Sequence, residues 1–395
     1  MPQSYSFYIH IPFCTHRCAY CDFNTYAGQE SSIARYVEAL CREIEFIGSA
    51  AYDRNDKPAK LHTIFFGGGT PSLLSPDQYA VVLATIQAVF DVVENAELTT
   101  EANPGTVSLD ALLRVHEAGL NRISFGVQSA NSEELRMLER THTFLDVIEA
   151  VAAARKAGFE NLNLDLIYGL PEQSLSTWER TLQRVLALHP EHISAYALSL
   201  EHGTPFGRWS ARGLLPLPDP DLAADMYELA GEMLKAHGYR QYEISNWAKP
   251  GRECLHNLQY WRGLPYLAAG AGAHGYADGY RYSNVLRIQT YIERLLDQDF
   301  QRSAWDFPMT PATVNFHRQT LDDDMSEFML TGLRLTEEGI PASVFQERFG
   351  LEVSKRYSKE IFDLRQLALL EWSGQNLRLT HHARLLGNRV FTRFV

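Results

Sequence analysis

The sequence predicts an α/β fold, a partial (β/α)6 barrel followed by a small C-terminal helical, winged-helix-like domain. Three observations predict it. Over the first 200 residues, short β-branched or aromatic runs alternate with longer amphipathic stretches, the pattern of a parallel sheet covered by helices. The short runs read as near-continuously apolar, as in strands buried on both faces. The residues able to do chemistry fall just after those runs, where parallel α/β sheets and barrels place their sites. Six such units fit a partial barrel better than a closed eight-fold one; an open doubly wound sheet is the alternative.

The candidate strands are 6–11, 63–66, 97–101, 122–126, 161–167 and 192–198. Amphipathic helical patterns between them cover 33–47, 76–90, 109–118, 144–156 and 176–188. The first strand leads into Cys14, Cys18 and Cys21. The second is followed by Gly67-Gly68-Gly69-Thr70-Pro71, and the third ends in Glu101-Ala102-Asn103-Pro104. The fourth ends in Phe125-Gly126-Val127-Gln128, and the fifth carries Asn163 and Asp165 ahead of Tyr168-Gly169-Leu170-Pro171. Parallel strands would collect all of these at one end of one sheet.

A Pro/Gly-rich segment, 203–220, reads as a linker or excursion before a helix at 221–237. The barrel is therefore expected over 1–240, with an aromatic, glycine-rich region at 241–305 connecting it to a C-terminal domain at 306–395. In that domain, helices near 325–333, 342–349 and 354–366 precede short strands at 369–372 and 377–379 and a last helix from Thr380. Asp322, Asp323 and Asp324 at its entrance favour packing or partner binding over DNA binding.

Lys+Arg 36 against Asp+Glu 48 leaves a net charge of −12, which argues against a nucleic-acid-binding surface. No apolar run reaches the ~18–20 residues that span a bilayer. The nearest, 79–93, is interrupted by Gln87 and Asp91 and reads as a buried helix. Peripheral membrane contact is left open. With five cysteines in 395 residues and no secretory leader recognised, a disulfide framework is not expected, and the protein is read as soluble and cytoplasmic.

Three of those cysteines form Cys14-x3-Cys18-x2-Cys21, with no fourth beside them. Three thiolates on one tight loop can each hold one iron of a [4Fe-4S] cluster. Electron-transfer clusters normally use four cysteines, so an open iron points to a cluster that binds a substrate. The competing reading is a zinc-stapled scaffold, a Cys3His site completed by His10 or His16, although no second CxxC or HxxxH follows. The run Gly67–Gly69 lets backbone approach a ligand with no Cβ in the way. It fits neither a Walker loop nor a G-x-G-x-x-G fingerprint. Beside an open iron, it would offer backbone acceptors to the ammonium of a chelating amino-acid head.

The cysteine triplet followed by the aromatic Phe23, with a GGGTP loop after the next strand, resembles the radical S-adenosylmethionine (SAM) superfamily. Tyr8-x-His10-Ile11-Pro12-Phe13-Cys14, Phe125-Gly126-Val127-Gln128 and Asp165-Leu166-Ile167-Tyr168-Gly169-Leu170-Pro171 resemble its coproporphyrinogen dehydrogenase-like branch. The likeness runs from about residue 5 to 300, with a similar C-terminal domain beyond. It implies that the amino and carboxylate groups of SAM chelate the open iron, and that one electron from the cluster yields methionine and a 5′-deoxyadenosyl radical. It also implies SAM contacts at Tyr8, Gly68, Gly69, Thr70, Glu101, Gln128, Arg140 and Asp165. Arg140 suits the methionine carboxylate as a fork donor. Glu101, Gln128 and Asp165 offer acceptors to the ammonium and ribose hydroxyls.

Two departures bear on the reaction. Porphyrinogen-oxidising members resemble C-x3-C-x2-C-x-C, and here Phe23 stands at the last position. They also carry an N-terminal extension, for which a first strand near residue 5 is expected to leave no room. Both point to the sister family of haem chaperones, which carries an H-N-x-x-Y-W motif; this chain has His256-Asn257-Leu258-Gln259-Tyr260-Trp261. That resemblance implies haem as a further cofactor. His256 would be an axial ligand, and Tyr260 and Trp261 would stack on the macrocycle or bind its propionates. Cys254 is an alternative ligand, and Cys41 reads as buried and inert. The implied partners are haem or porphyrin, a haem-requiring recipient protein, an electron donor of the flavodoxin or ferredoxin kind, and a second copy in a homodimer. The rival function is an oxygen-independent coproporphyrinogen III oxidase, converting propionates to vinyls.

Overall fold

Six strands of the computed structural model pair in chain order: β1 (Ser4–Ile11), β2 (Lys60–Gly68), β3 (Asp91–Ala102), β4 (Arg122–Gln128), β5 (Asn161–Tyr168) and β6 (His192–Ala197). Every neighbouring pair is parallel. Helices α1 (Ile33–Gly48), α2 (Pro76–Val89), α3 (Leu109–Glu117), α4 (Phe144–Lys156) and α5 (Leu175–Leu186) alternate with them, and a short helix at Ser132–Met137 adds to the expected set. The sequence marks where these helices begin. Ser75 and Thr143 form reciprocal capping boxes with Gln78 and Asp146, while Ser108 and Ser174 cap α3 and α5, so amides without helical partners are satisfied.

The structure describes residues 4–52, 57–296 and 305–395. Its contacts group them into two units, Met1–Ala230 with Pro265–His317, and Gly231–Leu264 with Arg318–Val395. The stretch 241–305, expected as a connector, is thus divided at Leu264. The reason is strand pairing: β7 (Tyr266–Ala269) lies parallel to β1, and β8 (His274–Ala277), β9 (Tyr280–Asn284) and β10 (Thr313–Arg318) extend that edge. The expected boundary at 305 borders residues 297–304, which lie outside the described residues. Within this unit β1 and β6 are not partners, so the barrel is partial.

One expectation is corrected. The strands are not apolar throughout; they alternate. Phe7, Ile9, Ile11, Ile64, Phe66, Ile123, Phe125, Leu162 and Leu164 are buried on one face. The opposite face carries Ser6, His10, Thr63, Thr99, Glu101, Ser124, Asn163, Asp165 and His192, aligned in rows by the register Glu101↔Ser124, Ser124↔Asn163 and Asn163↔His192. A closed barrel packs its interior with branched apolar side chains. This open one keeps a polar inner face whose groups bond to one another.

In the second unit, helices Leu321–Gly332, Ala342–Phe349, Val353–Arg356 and Ser358–Gln366 enclose a core that includes Phe328, Met329, Phe345, Leu377 and Val390. A three-stranded antiparallel wing of Ile340–Pro341, Asn376–Leu379 and Leu370–Ser373 completes it. The helix expected at 354–366 is broken at Tyr357, whose backbone leaves the helical region at φ −117°, ψ 35°. The three aspartates sit in the first turn of Leu321–Gly332, where the helix dipole favours negative charge.

Candidate functional site

The carboxyl ends of β1 to β6 surround a cavity of about 450 Å³. All three predicted thiols, Cys14, Cys18 and Cys21, line it, as do Gly68, Gly69, Thr70, Glu101, Gln128, Arg140 and Asp165. Residues from six separate segments are thereby brought together. Tyr8 is not among the lining residues; its hydroxyl is turned to His10 Nδ1 at 2.9 Å, and its ring stacks on Phe65.

The cysteine loop is built on short-range backbone ties. The Cys21 amide donates to the Cys18 carbonyl at 3.1 Å, and the loop closes where Phe13–Cys14 pairs in parallel with Tyr26–Ala27. Its middle is held from outside, with the Phe206 amide donating to the Ala19 carbonyl at 3.0 Å. Each sulfur has its own polar neighbour. Thr70 Oγ1 is 3.5 Å from Cys14 Sγ, Arg140 Nη1 is 3.6 Å from Cys18 Sγ, and Thr25 Oγ1 is 3.9 Å from Cys21 Sγ. Among the described residues no three His, Cys, Asp or Glu side chains are grouped to hold a single metal ion. A cube asks for a wider set, one thiolate per iron. His10 does not complete a zinc site: its Nε2 is 3.0 Å from the Asn24 carbonyl, its Nδ1 faces Tyr8, and burial lowers its pKa to about 4. His16 does line the cavity, with Nε2 3.3 Å from Glu139 Oε2.

The glycine run is required by close approach. Gly68 has φ +109°, and a Cβ there would overlap the His10 ring; at Gly69 a Cβ would stand 2.6 Å from the Phe13 carbonyl oxygen. The loop's amides are already engaged, Gly68 with Glu101 Oε2 at 3.0 Å, Gly69 with the Ile11 carbonyl at 2.9 Å and Thr70 with the Phe13 carbonyl at 2.7 Å. What this loop has to offer a ligand is therefore carbonyl oxygen, which suits a cationic head.

Two carboxyls face into the same space. Burial first, and the charge of Asp165 second, raise the pKa of Glu101 to about 8, against the stabilising Gly68 bond. Asp165 is fixed by Ser124 Oγ at 2.7 Å and Asn163 Nδ2 at 2.8 Å. Asn163 Oδ1 in turn lies 2.6 Å from His192 Nδ1 and accepts from Ser194 at 3.2 Å. Gln128 sits at a register shift between β4 and β5 with φ +64°, the kind of backbone outlier that gathers at functional sites. Arg140 is more committed than its fork geometry led us to expect. Nη2 donates to Asn103 Oδ1 and the Gly126 carbonyl, and Nη1 reaches Cys18, while its buried Nε has no partner.

These residues fit the implied groups. Three thiols on one wall suit a cluster; the raised Glu101 carboxyl beside Asp165, carbonyl-presenting glycines and an orphaned guanidinium N–H suit a zwitterionic cation such as SAM. Sequence reasoning passed over Thr25, Ser124 and His192, and gave Asn103 and Asn163 no role. The alternation Asn161-x-Asn163-x-Asp165 was the available signal, because a polar period of two marks one face of a strand.

The haem-motif residues belong to the second unit, on a helix at Leu255–Trp261. His256 is 1% exposed, and its Nε2 lies 2.8 Å from the Tyr260 hydroxyl with the rings edge to face. Trp261 packs against Tyr242, Ala248, Leu258 and Leu335, beneath the Arg334 guanidinium at 4.5 Å, and its buried Nε1 has no partner. Cys254 is buried at the start of that helix. In this arrangement His256 is part of a packed interior, while Tyr260 and Trp261 are half-buried.

An open β/α barrel with a three-thiol loop and a glycine loop at its carboxyl end defines the radical SAM class. The Radical SAM superfamily model matches residues 8–185, and the HemN C-terminal domain model matches 319–386. The protein named "Heme chaperone HemW" in Bacillus subtilis is 39% identical over 391 residues, covering 99% of both chains. Its Escherichia coli namesake is 43% identical over 271 residues, covering 68% of this chain and 69% of that one. The solved structure of the E. coli coproporphyrinogen III oxidase HemN superposes with a TM-score of 0.82 at 24% identity, covering 100% and 91% of the two chains, and shares the fold. The chain belongs to the HemW family of radical SAM proteins.

Proposed function

We propose that the protein binds haem and delivers it to a haem-requiring recipient while carrying a [4Fe-4S] cluster and SAM in the barrel. The observation that carries this reading is the near-full-length similarity to proteins named heme chaperones, 39% identity over 99% of each chain in the B. subtilis case. Phe23 supports it, lining the cavity and 64% exposed where the oxidases have a cysteine.

Cys14, Cys18 and Cys21 would hold the cluster, each keeping its polar neighbour, Thr70, Arg140 and Thr25, once deprotonated. Hydrogen bonds to the sulfurs are one of the levers that set a cluster's potential. Gly68, Gly69, Thr70, Glu101, Gln128 and Asp165 would receive SAM, with Arg140 Nε toward its carboxylate and Tyr8 acting from outside the cavity wall. With both groups bound, the site supplies one-electron reductive cleavage of SAM, fed by a flavodoxin- or ferredoxin-like donor. His256, Tyr260 and Trp261 would contact haem after the His256–Tyr260 pair opens. Among the described residues no helix is long and apolar enough to cross a membrane, so any membrane contact of a helical kind would be peripheral. A second copy in a homodimer belongs to the same reading.

The test is an anaerobic haem titration of cluster-loaded protein, read at the Soret band with and without SAM, followed by transfer to an apo haem protein. Saturable binding and transfer are expected. Conversion of coproporphyrinogen III to protoporphyrinogen with SAM and a reductant would overturn the chaperone reading in favour of the oxidase.

A further inference from the structure

Three residues beyond Cys21, the chain makes a contact that leaves the cysteine loop and reaches the far end of the barrel sequence. Asn24 Nδ2 donates to the carbonyls of Ala271 and Leu286, both at 3.0 Å. The Tyr26 hydroxyl joins the same Leu286 carbonyl at 3.2 Å. On its other side, the Asn24 carbonyl meets His10 Nε2 at 3.0 Å, and the His10 ring packs against Gly68. Asn24 therefore stands between the exit of the cysteine loop, the glycine loop and a turn at Gly270–Gly272.

That turn is a fixed anchor. The Gly270 amide donates to the buried Glu43 carboxyl at 2.8 Å, and the Ala271 amide to the Tyr36 hydroxyl at 2.9 Å. The Tyr36 hydroxyl donates to the His10 carbonyl at 2.8 Å, and the Gly272 amide donates to the Val285 carbonyl at 2.9 Å. Gly270 and Gly272 have φ +109° and +81°. A Cβ on Gly270 would stand 2.5 Å from the His10 carbonyl oxygen, and one on Gly272 would overlap the Asn24 carboxamide. Gly272 is what lets Asn24, at the cysteine loop's exit, seat against the turn, and Gly270 lets β1 do so at His10. Only a carboxamide places two N–H donors on one short planar group here; aspartate of the same shape offers none when ionised.

We propose that Asn24 is a positioning residue for the cluster, fastening the exit of the Cys14–Cys21 loop to the Gly270–Gly272 turn so that the three sulfurs keep the spacing a cube requires. This rests on the reading that those thiols hold the cluster. It assigns a part in cofactor retention to a turn some 250 residues from the cysteines in sequence.

The test uses the full chain, loaded anaerobically with ferrous iron and sulfide, as wild type, Asn24→Asp, Gly272→Ala and a Cys18→Ala control. Asn24→Asp removes both donations, and Gly272→Ala displaces the same carboxamide from the other side. The expected result is iron release to a chelator about tenfold faster in both variants, the scale of losing one or two hydrogen bonds. The EPR spectrum of the reduced cluster should be altered in the same way in both, while the unloaded variants still fold, melting a few degrees below wild type. If Asn24→Asp does not fold, Gly272→Ala gives the same readouts and decides. Wild-type EPR and release rates in the folded variants overturn the Asn24 proposal alone. A wild-type chain that takes up no more iron and sulfide than Cys18→Ala overturns the cluster reading, and this inference with it.

Discussion

The amide of Gly68 donates to Glu101 Oε2 at 3.0 Å, joining the glycine loop at the end of β2 to the carboxyl at the end of β3. This bond favours the ionised carboxyl, but burial and the nearby Asp165 outweigh it and leave Glu101 titrating at about 8. A ligand that is cationic, or that donates hydroxyls, binds the ionised form. SAM affinity should therefore rise with pH up to about 8 and then level, with proton release on binding below that point. Calorimetry in two buffers of different ionisation enthalpy reads the proton directly. Glu101→Gln should bind more weakly and with a flat profile. For folding the sign is opposite. The native carboxyl holds its proton from its ordinary 4.5 up to about 8, so its contribution favours the unliganded fold at low pH and is lost as pH rises through 8. The mutant should lose that part of the slope in its melting temperature.

The row Asp165–Asn163–His192 makes a second prediction. Asn163 donates to Asp165 and accepts from His192 and Ser194, and burial keeps His192 neutral. Asn163→Ala deprives buried polar groups of this partner, a loss of about 1–3 kcal/mol in denaturant unfolding. SAM binding should weaken about tenfold because Asp165 is no longer oriented. Asn163→Asp should be worse for binding at similar stability cost, since a second carboxyl beside Asp165 disfavours its charge. Equal SAM affinity in wild type and both variants would remove Asp165 from the SAM site.

What the sequence made legible follows from how local each signal is. Cysteine spacing, the GGGTP loop and the helical periodicities act within a few residues, and each lands where expected. The pairing of β7 with β1 does not, because Ser6↔Tyr266 is a contact between distant parts of the chain with no periodicity to announce it. The polar inner face was written openly in Asn161-Leu162-Asn163-Leu164-Asp165. Its meaning depends on the barrel staying open, which single strands do not encode. Tyr8 sits on the correct strand and face, yet its hydroxyl turns to His10 on the same strand and its ring stacks on Phe65 of β2, a choice that strand periodicity does not announce.

Glu43 carries a stability prediction. It is fully buried in α1 and receives the Gly270 amide, Asn284 Nδ2, the Tyr291 hydroxyl and Thr310 Oγ1, all between 2.6 and 2.8 Å. These four donors come from the segment that adds β7 to β10 to the barrel. Glu43→Ala leaves several buried donors without this acceptor and should cost about 3–5 kcal/mol, the scale of breaking a buried polar cluster on one side. Glu43→Gln keeps the shape but meets donors with an NH2 group, and should fall between. Denaturant unfolding of the full chain measures both, with limited proteolysis near residues 265–317 reporting which region loosens.

The last prediction concerns His256 and Tyr260. Their 2.8 Å contact occupies the ring nitrogen that an axial ligand would present, and the imidazole is buried. Haem ligation through Nε2 thus has to open that contact first, and the cost of opening subtracts from haem affinity. Tyr260→Phe removes the hydroxyl while keeping the ring, so it should bind haem more tightly, by about the five- to tenfold that one neutral hydrogen bond represents. His256→Ala should lose the ligand and shift the Soret maximum, and the double variant should match it, since the hydroxyl matters only through the imidazole. A Tyr260→Phe variant that binds more weakly instead would assign the hydroxyl to the haem itself. If His256→Ala titrates like wild type, His256 is an interior packing residue, and the axial ligand lies elsewhere in the chain.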